Sequence, residues 1–160
     1  VVQEDEEDVH AMSVEKTLII VKPGAVARGL IGEVISRIEK KGLKIVGLKM
    51  IKASKREAEE LYSVHKGKHF YSELVDYITS SPIVVGVVEG EDAIQVVRRL
   101  IGPTNPKEAP PGTIRGDLGL SITQNVIHAS DSKESAEREI KIFFREDEIC
   151  SYSRADEKWV

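Results

Sequence analysis

The chain has 160 residues, 41% hydrophobic and 31% charged, the size and balance of one globular domain able to bury a core. No apolar run approaches the roughly 20 residues a helical span needs, which argues against an integral membrane protein. A single cysteine, Cys150, forms neither an internal disulfide nor a zinc site alone and fits a reducing, cytoplasmic setting. The formal charge is -4, from 27 acids and 23 bases. Five of the acids (Glu4, Asp5, Glu6, Glu7, Asp8) lie in the first eight residues, so the remainder, 23 bases against 22 acids, is near neutral. That balance lacks the basic excess of a dedicated nucleic-acid binder.

Residues 1–13 read as a disordered acidic leader with neither the basic nor the apolar region of a signal peptide. Either the leader is a natural extension, or Ala11-Met12 marks an artificial junction with Met12 near the natural start. Residues 14–160 read as a single domain that includes a C-terminal tail over 145–160. Thr17-Leu18-Ile19-Ile20-Val21 is a β-rich run without helical period and predicts a buried strand. Ile31, Val34, Ile35 and Ile38 recur at helical spacing, and Gly42 supplies the stop. Leu43 to Lys52 reads as a second strand. Ser54 and Glu57 form a capping box that opens a helix towards His65.

Leu74, Val75 and Ile78 predict a further helix, stopped by Ser80-Ser81-Pro82. Ile83 to Val88 predicts a central strand, and Ala93, Val96, Val97, Leu100 and Ile101 the apolar face of the next helix. Residues 102–124 hold four of the six prolines and four glycines, and read as a functional loop. Val126-Ile127-His128 is a short strand running into Ser130-Asp131-Ser132, where Asp131 and Glu134 resemble a capping box. The last helix carries Ala136, Ile140, Phe143 and Phe144. The order β-α-β-α-α-β-α-loop-β-α points to an α/β sandwich with a split, ferredoxin-like antiparallel sheet. A small doubly wound sheet is the alternative from pattern alone.

Four histidines are present. His10 lies in the leader. His65 and His69 have the i, i+4 spacing that chelates a metal on a helix, but Gly67 breaks the helix and no further ligand is evident. His128 ends an apolar strand and precedes a helix N-terminus, a place where α/β proteins hold anions; a hydrogen-bonded structural histidine is the competing reading. Glu139 lies at the edge of an apolar helix face. Pointing inward it needs a partner, and an imidazole nitrogen would serve, leaving the other nitrogen as nucleophile or base. A surface ion pair with Arg138 or Lys141 is the alternative. Lys22, Arg98 and Arg115 are ordinary solvated charges singly, but converging on one anion they would clamp a polyphosphate. No Walker-type glycine loop and no protein-kinase signature is present.

Asn125-Val126-Ile127-His128-Ala129-Ser130-Asp131-Ser132 resembles the active-site signature of nucleoside diphosphate kinases. So do Thr17 to Lys22 with Pro23, Arg28-Gly29-Leu30-Ile31-Gly32, Phe70, Thr104-Asn105-Pro106, Pro111 to Asp117 and Ser135 to Ile140, all in matching order. The resemblance covers about residues 15–145. It implies an α+β, ferredoxin-like βαββαβ fold, a four-stranded antiparallel sheet covered by helices. It implies γ-phosphoryl transfer between nucleoside triphosphates such as ATP and nucleoside diphosphates, through a phosphohistidine in a ping-pong cycle.

By the same resemblance, His128 attacks through Nδ1, Glu139 holds the other ring nitrogen and Ser130 bonds near that carboxylate. Lys22, Tyr62, Arg115 and Asn125 surround the sugar hydroxyl and terminal phosphates, and Arg98 and Thr104 hold the inner phosphates. Phe70 stacks on the base with Ile122 on its other face. Magnesium bridges the phosphates with few protein ligands and no dedicated protein metal site. The family also implies a homo-oligomer, a hexamer with a tetramer as the alternative; the tail, with Tyr152 and Trp159, and the Pro-rich loop resemble the hexameric form.

Four positions, at three places, depart from the family pattern. Gly24 stands where the family usually has Asp, Thr123-Gln124 where it has Gly-Arg, and His69 where proline is common. The first keeps a second class in view, a weakly active relative acting as a scaffold or regulatory nucleotide-binding module. Nucleic-acid binding is a third class, which the near-neutral domain disfavours. A generic ferredoxin-like ligand-binding domain would not explain the ordered phosphate-handling set.

Overall fold

The computed structural model describes residues 14–160; the leader reading, with His10 and Met12, lies outside the described residues. Four strands, β1 (Val14–Val21), β2 (Lys44–Ile51), β3 (Ile83–Glu91) and β4 (Ile127–Ala129), form one sheet in the order β2-β3-β1-β4. Every neighbouring pair is antiparallel. This is the ferredoxin-like arrangement, and it removes the doubly wound alternative, whose strands run parallel.

The helices are α1 (Pro23–Ala27), α2 (Ile31–Lys40), α3 (Lys55–Leu61), α4 (Tyr71–Ile78), α5 (Ala93–Ile101), α6 (Ile114–Leu118) and α7 (Lys133–Phe143). Neighbouring strands β2 and β3 are joined not by a tight turn but by the pair α3–α4.

The continuous apolar run of β1 follows from helices on both faces of the sheet. Side chains alternate along a strand, so Ile19 and Val21 join Val34, Ile38, Val97 and Ile101 beneath α2 and α5. Leu18 and Ile20 point the other way, to Ala58, Leu61, Val75, Ile78 and Phe143 of α3, α4 and α7. With both faces dry, nothing polar is called for along the strand. Gly42 closes α2 as the sequence predicts: at φ +103° it takes the left-handed conformation and donates its N–H to Glu39 O at 3.1 Å.

Four local expectations are corrected. The helix opened by the Ser54–Glu57 box, whose two reciprocal bonds are present, ends at Leu61; a single 3-10 turn over Ser63–His65 follows. Residues 102–124 are not all loop, because Thr113 caps the short helix α6 through a bond from Gly116 N. α7 starts from Ser132, whose hydroxyl accepts from Ser135 N at 3.1 Å, rather than from an Asp131–Glu134 box. β4 begins at Ile127, not Val126, because Val126 turns away at φ +79°.

The tail packs on the body through Tyr152, whose hydroxyl donates to Ile45 O at 2.5 Å, and Arg154, which donates to Glu39 O and Leu43 O at 3.1 and 2.8 Å. Trp159 is exposed.

Candidate active site

His128 is the middle residue of β4 and faces the α7 side of the sheet. Its Nε2 lies 2.6 Å from Glu139 Oε1. Glu139 is 4% exposed, on the inward face of α7, and also accepts from Ser130 Oγ at 3.1 Å. Arg138 approaches its second oxygen at 3.7 Å. A buried carboxylate demands such partners. An ionised carboxylate only accepts, so the proton of the imidazole sits on Nε2 and Nδ1 is left with a bare lone pair. His128 lines the cleft described below. Glu139 is buried and so is not a surface ion pair, while the hydrogen bond to His128 serves either reading of the histidine.

The opposite wall is built around a strained turn. Val126, a β-branched residue, holds φ +79°, and Ile127 N donates to Asn125 O at 3.0 Å, the three-residue ring of a γ-turn. Lys22 N donates to Val126 O at 3.0 Å, and Lys22 Nζ meets Asn125 Oδ1 at 2.5 Å. Asn125 Nδ2 donates to Thr104 O at 3.1 Å.

Arg115 locks this turn from behind. Its Nε donates to Asn125 O at 3.2 Å, Nη2 to Ile127 O at 2.8 Å and Nη1 to Gly102 O at 2.9 Å. A rigid planar fork with five donors suits three backbone carbonyls lying in different directions. Arg98 reaches Ala129 O at 3.3 Å.

These walls and the α3–α4 pair enclose a cleft of about 780 Å³, the size of a small-molecule site. Lys22, Tyr62, Phe70, Arg98, Thr104, Arg115, Ile122, Asn125, His128 and Glu139 all line it, and Ser130 stands behind Glu139. The structure therefore brings every expected residue to one place.

Its electrostatics favour an anion. Burial, then the neighbouring charge of Arg115, pulls the Lys22 ammonium down to about 8. Burial, then Arg98, lowers Arg115 to about 10, still charged at neutral pH. Tyr62 is pushed up to about 12, by burial first and then by the charge of Glu139, so its hydroxyl keeps its proton and can donate. Lys22, Arg98 and Arg115 crowd together in this cleft, and such a cluster of cations favours a bound anion.

The cleft also takes in residues outside the expected site set. His65 and His69 do not share a helix. They pack edge-on against Phe70, with ring centroids at 5.2 and 5.3 Å, and His65 lines the cleft. Tyr77, Gln124, Asp131 and Arg138 line it too. Tyr77 carried no sequence signal beyond its place near the end of a helix; Asp131 could have been found from its place beside His128 at the start of α7.

Among the described residues no group of three His, Cys, Asp or Glu side chains could hold a metal ion. The donors present suit a cation carried mainly by phosphates and water. Asp131, its carboxyl held below the usual range chiefly by a bond from Ser135, lines the same cleft. Among the same residues no helix is long and apolar enough to cross a membrane.

The family model for nucleoside diphosphate kinase matches residues 15–149. The nucleoside diphosphate kinase of Archaeoglobus fulgidus is 59% identical over 146 residues, covering 91% of this chain and 97% of that protein. That of Pyrococcus abyssi is 62% identical over 146 residues, covering 89% and 92%. Among solved structures, the halophilic enzyme from Halobacterium salinarum in complex with CDP superposes with a TM-score of 0.88 at 45% identity, covering 91% of this chain and 97% of that one. The Borrelia burgdorferi enzyme, a transition-state mimic with bound vanadate and ADP, gives 0.85 at 44% identity, covering 91% and 96%. On this fold, this cleft and these matches, the chain belongs to the nucleoside diphosphate kinase family and is a phosphotransferase that moves the γ-phosphate of a nucleoside triphosphate to a nucleoside diphosphate.

Proposed function

We propose that His128 carries the phosphoryl group between the two nucleotides in a ping-pong cycle. The observation behind this reading is the 2.6 Å contact of His128 Nε2 with buried Glu139, which leaves Nδ1 unprotonated in the cleft. The Nδ1 lone pair attacks the γ-phosphorus and the N–P bond forms. The bond to the bridging oxygen breaks, and the nucleoside diphosphate leaves with that electron pair. A second diphosphate then attacks the phosphohistidine in the reverse sense. Glu139 balances the positive charge that spreads over the ring, and Ser130 holds Glu139 in place.

Lys22 and Asn125 meet the terminal phosphate, and Arg98 and Thr104 the inner ones. Arg115 adds its remaining N–H groups to the same anion. Tyr62 donates towards the sugar and phosphate end. Phe70 and Ile122 sandwich the base, and because every base has a π-face, selectivity among bases is low. Asp131 would help hold a magnesium ion brought in on the phosphates, and that ion would supply charge neutralisation on the transferring group. The vanadate–ADP complex of the Borrelia relative supports phosphoryl transfer in a cleft of this kind.

The active form is a homo-oligomer, a hexamer in preference to a tetramer. Self-association is supported by β2, an edge strand that exposes Leu48 and Met50. Free, exposed Cys150 supports a reducing, cytoplasmic location.

The test is labelling from γ-labelled ATP with magnesium, with and without His128→Ala. Acid-labile label on the wild type, chased by a nucleoside diphosphate and absent in the variant, is expected. Equal labelling of both proteins would remove His128 as the nucleophile.

A further inference from the structure

Two of the positions that depart from the family pattern, Gly24 and Gln124, are far apart in the chain and touch in the fold. A Cβ on Gly24 would stand 2.2 Å from Gln124 Oε1 and 2.9 Å from the Tyr77 hydroxyl. The glycine's φ is ordinary, so space and not backbone conformation excludes a side chain there. The contact is also bonded: the Gly24 N–H donates to Tyr77 Oη at 3.0 Å, and that hydroxyl donates to Gln124 Oε1 at 2.6 Å. The phenol accepts from one segment and donates to another, so it links the short helix α1 and the turn before Asn125 to its own helix, α4.

Both segments adjoin the Lys22–Asn125 pair in the cleft. Gly24 follows Lys22 by two residues and Gln124 immediately precedes Asn125, while Lys22 and Asn125 are themselves in contact at 2.5 Å. The two links close a ring of contacts, with Lys22–Asn125 on one side and Gly24–Tyr77–Gln124 on the other. Tyr77 lies near the end of α4, and Phe70 caps the start of that helix. Seven residues of α-helix separate the two rings by about 10 Å along the axis. α4 is therefore a strut with the aromatic face of the cleft at one end and the phosphate turn at the other.

We propose that Tyr77 and Gln124 are positioning residues, and that the clasp they form with the Gly24 N–H sets the separation between Phe70 and the Lys22–Asn125 pair, so that base and terminal phosphate are gripped together. The proposal rests on the reading of those two ends as nucleotide contacts. Gly24 and Gln124 form a matched pair, the amide occupying the space that a side chain at 24 would take. The departure at 24 is thereby filled from the neighbouring turn, not left as a gap.

The test is a set of variants assayed for KM and kcat with ADP as acceptor, with ADP binding to the unphosphorylated protein followed by calorimetry. Tyr77→Phe keeps the ring and removes the link; it should raise KM about fivefold, the weight of one neutral hydrogen bond, with kcat little changed. Gly24→Ala should raise KM about tenfold in the wild type but less than about twofold in a Gln124→Ala background, where the colliding amide is gone.

A clasp that merely held the fold together would lower the unfolding temperature and leave KM alone. Equal effects of Gly24→Ala in both backgrounds would overturn the proposal, as would an unchanged KM in Tyr77→Phe. If Gly24→Ala does not fold, Tyr77→Phe and Gln124→Ala decide, and wild-type KM in both overturns it. Should the wild type bind ADP yet transfer no phosphate, the catalytic reading fails, and the clasp is still judged on the calorimetric affinities.

Discussion

Ile20 of β1 stands directly opposite His128 of β4 in the antiparallel register. Opposed residues of such a pair share a face of the sheet, so His128 emerges on the side where Ile20 packs with α7, and there it meets Glu139. A slip of one residue would send the imidazole to the α2–α5 side and leave the carboxylate buried without it. Chemistry and packing thus depend on the same three-residue strand.

Glu139→Gln tests the tautomer argument. An amide fits the same space but can either donate to or accept from Nε2, so Nδ1 is no longer held free of its proton. Phosphohistidine formation should slow by about a hundredfold, the usual scale of a lost acid–base partner. Rapid-quench labelling measures it, and a wild-type rate would mean that the carboxylate does not set the tautomer. Ser130→Ala, which removes one of several partners of Glu139, should cost about 1 kcal/mol of stability and only a few-fold in rate.

The Lys22 ammonium titrates at about 8 in the folded chain against its usual 10.5. Between those values the unfolded chain holds more protons than the folded one, so this group makes stability rise with pH over that window; below about 8 the folded state carries the buried charge at a cost. A bound polyphosphate repays that cost, so nucleotide affinity should fall as pH rises above about 8. Lys22→Met should abolish both trends. It should also raise the neutral-pH unfolding temperature by about 2–4 °C while lowering kcat/KM by about a hundredfold or more. Paired thermal scans and calorimetric ADP titrations across pH 7–10 check both signs.

Arg115 combines phosphate chemistry with architecture, and Arg115→Lys separates the two. A lysine keeps the charge but cannot reach Asn125 O, Gly102 O and Ile127 O together. Buried carbonyls left without donors should cost about 2–3 kcal/mol, read by urea unfolding. A Lys variant as stable as the wild type would show that the three backbone bonds contribute little.

Val126 holds a left-handed φ while only 2% exposed, so its side chain is well buried and its backbone strained. Val126→Ala removes packing and keeps the strain; Val126→Gly removes more packing but relieves the strain, worth about 1–2 kcal/mol. The glycine variant should therefore unfold at no lower denaturant concentration than the alanine variant. The reverse order would show that the turn is not strained.

Much of this molecule is written locally. The unbroken apolar run from Leu18 to Val21, the helical spacing of Val34 and Ile38, and the Ser54–Glu57 box each name an element, because their causes, burial period and capping chemistry, act over a few residues. The ordered motif set carried the site further: Lys22, Arg98, Arg115, Asn125, His128 and Glu139 were named before any geometry and share one cleft. Pattern alone, however, left His128 balanced between structural and chemical readings, and Glu139 between an inward partner and a surface ion pair.

Composition, element periods and the kinds of group available for phosphate chemistry are all set by the order of residues along the chain. The tertiary structure decided which nitrogen of His128 is free, that Arg115 spends donors on three carbonyls, that Val126 turns through a left-handed conformation, and that Gly24 and Gln124 share one space through Tyr77. Each of these is a contact between segments remote in the chain. Such contacts exist only once the strand register and helix packing are set, and a local period of two or 3.6 residues carries no information about them.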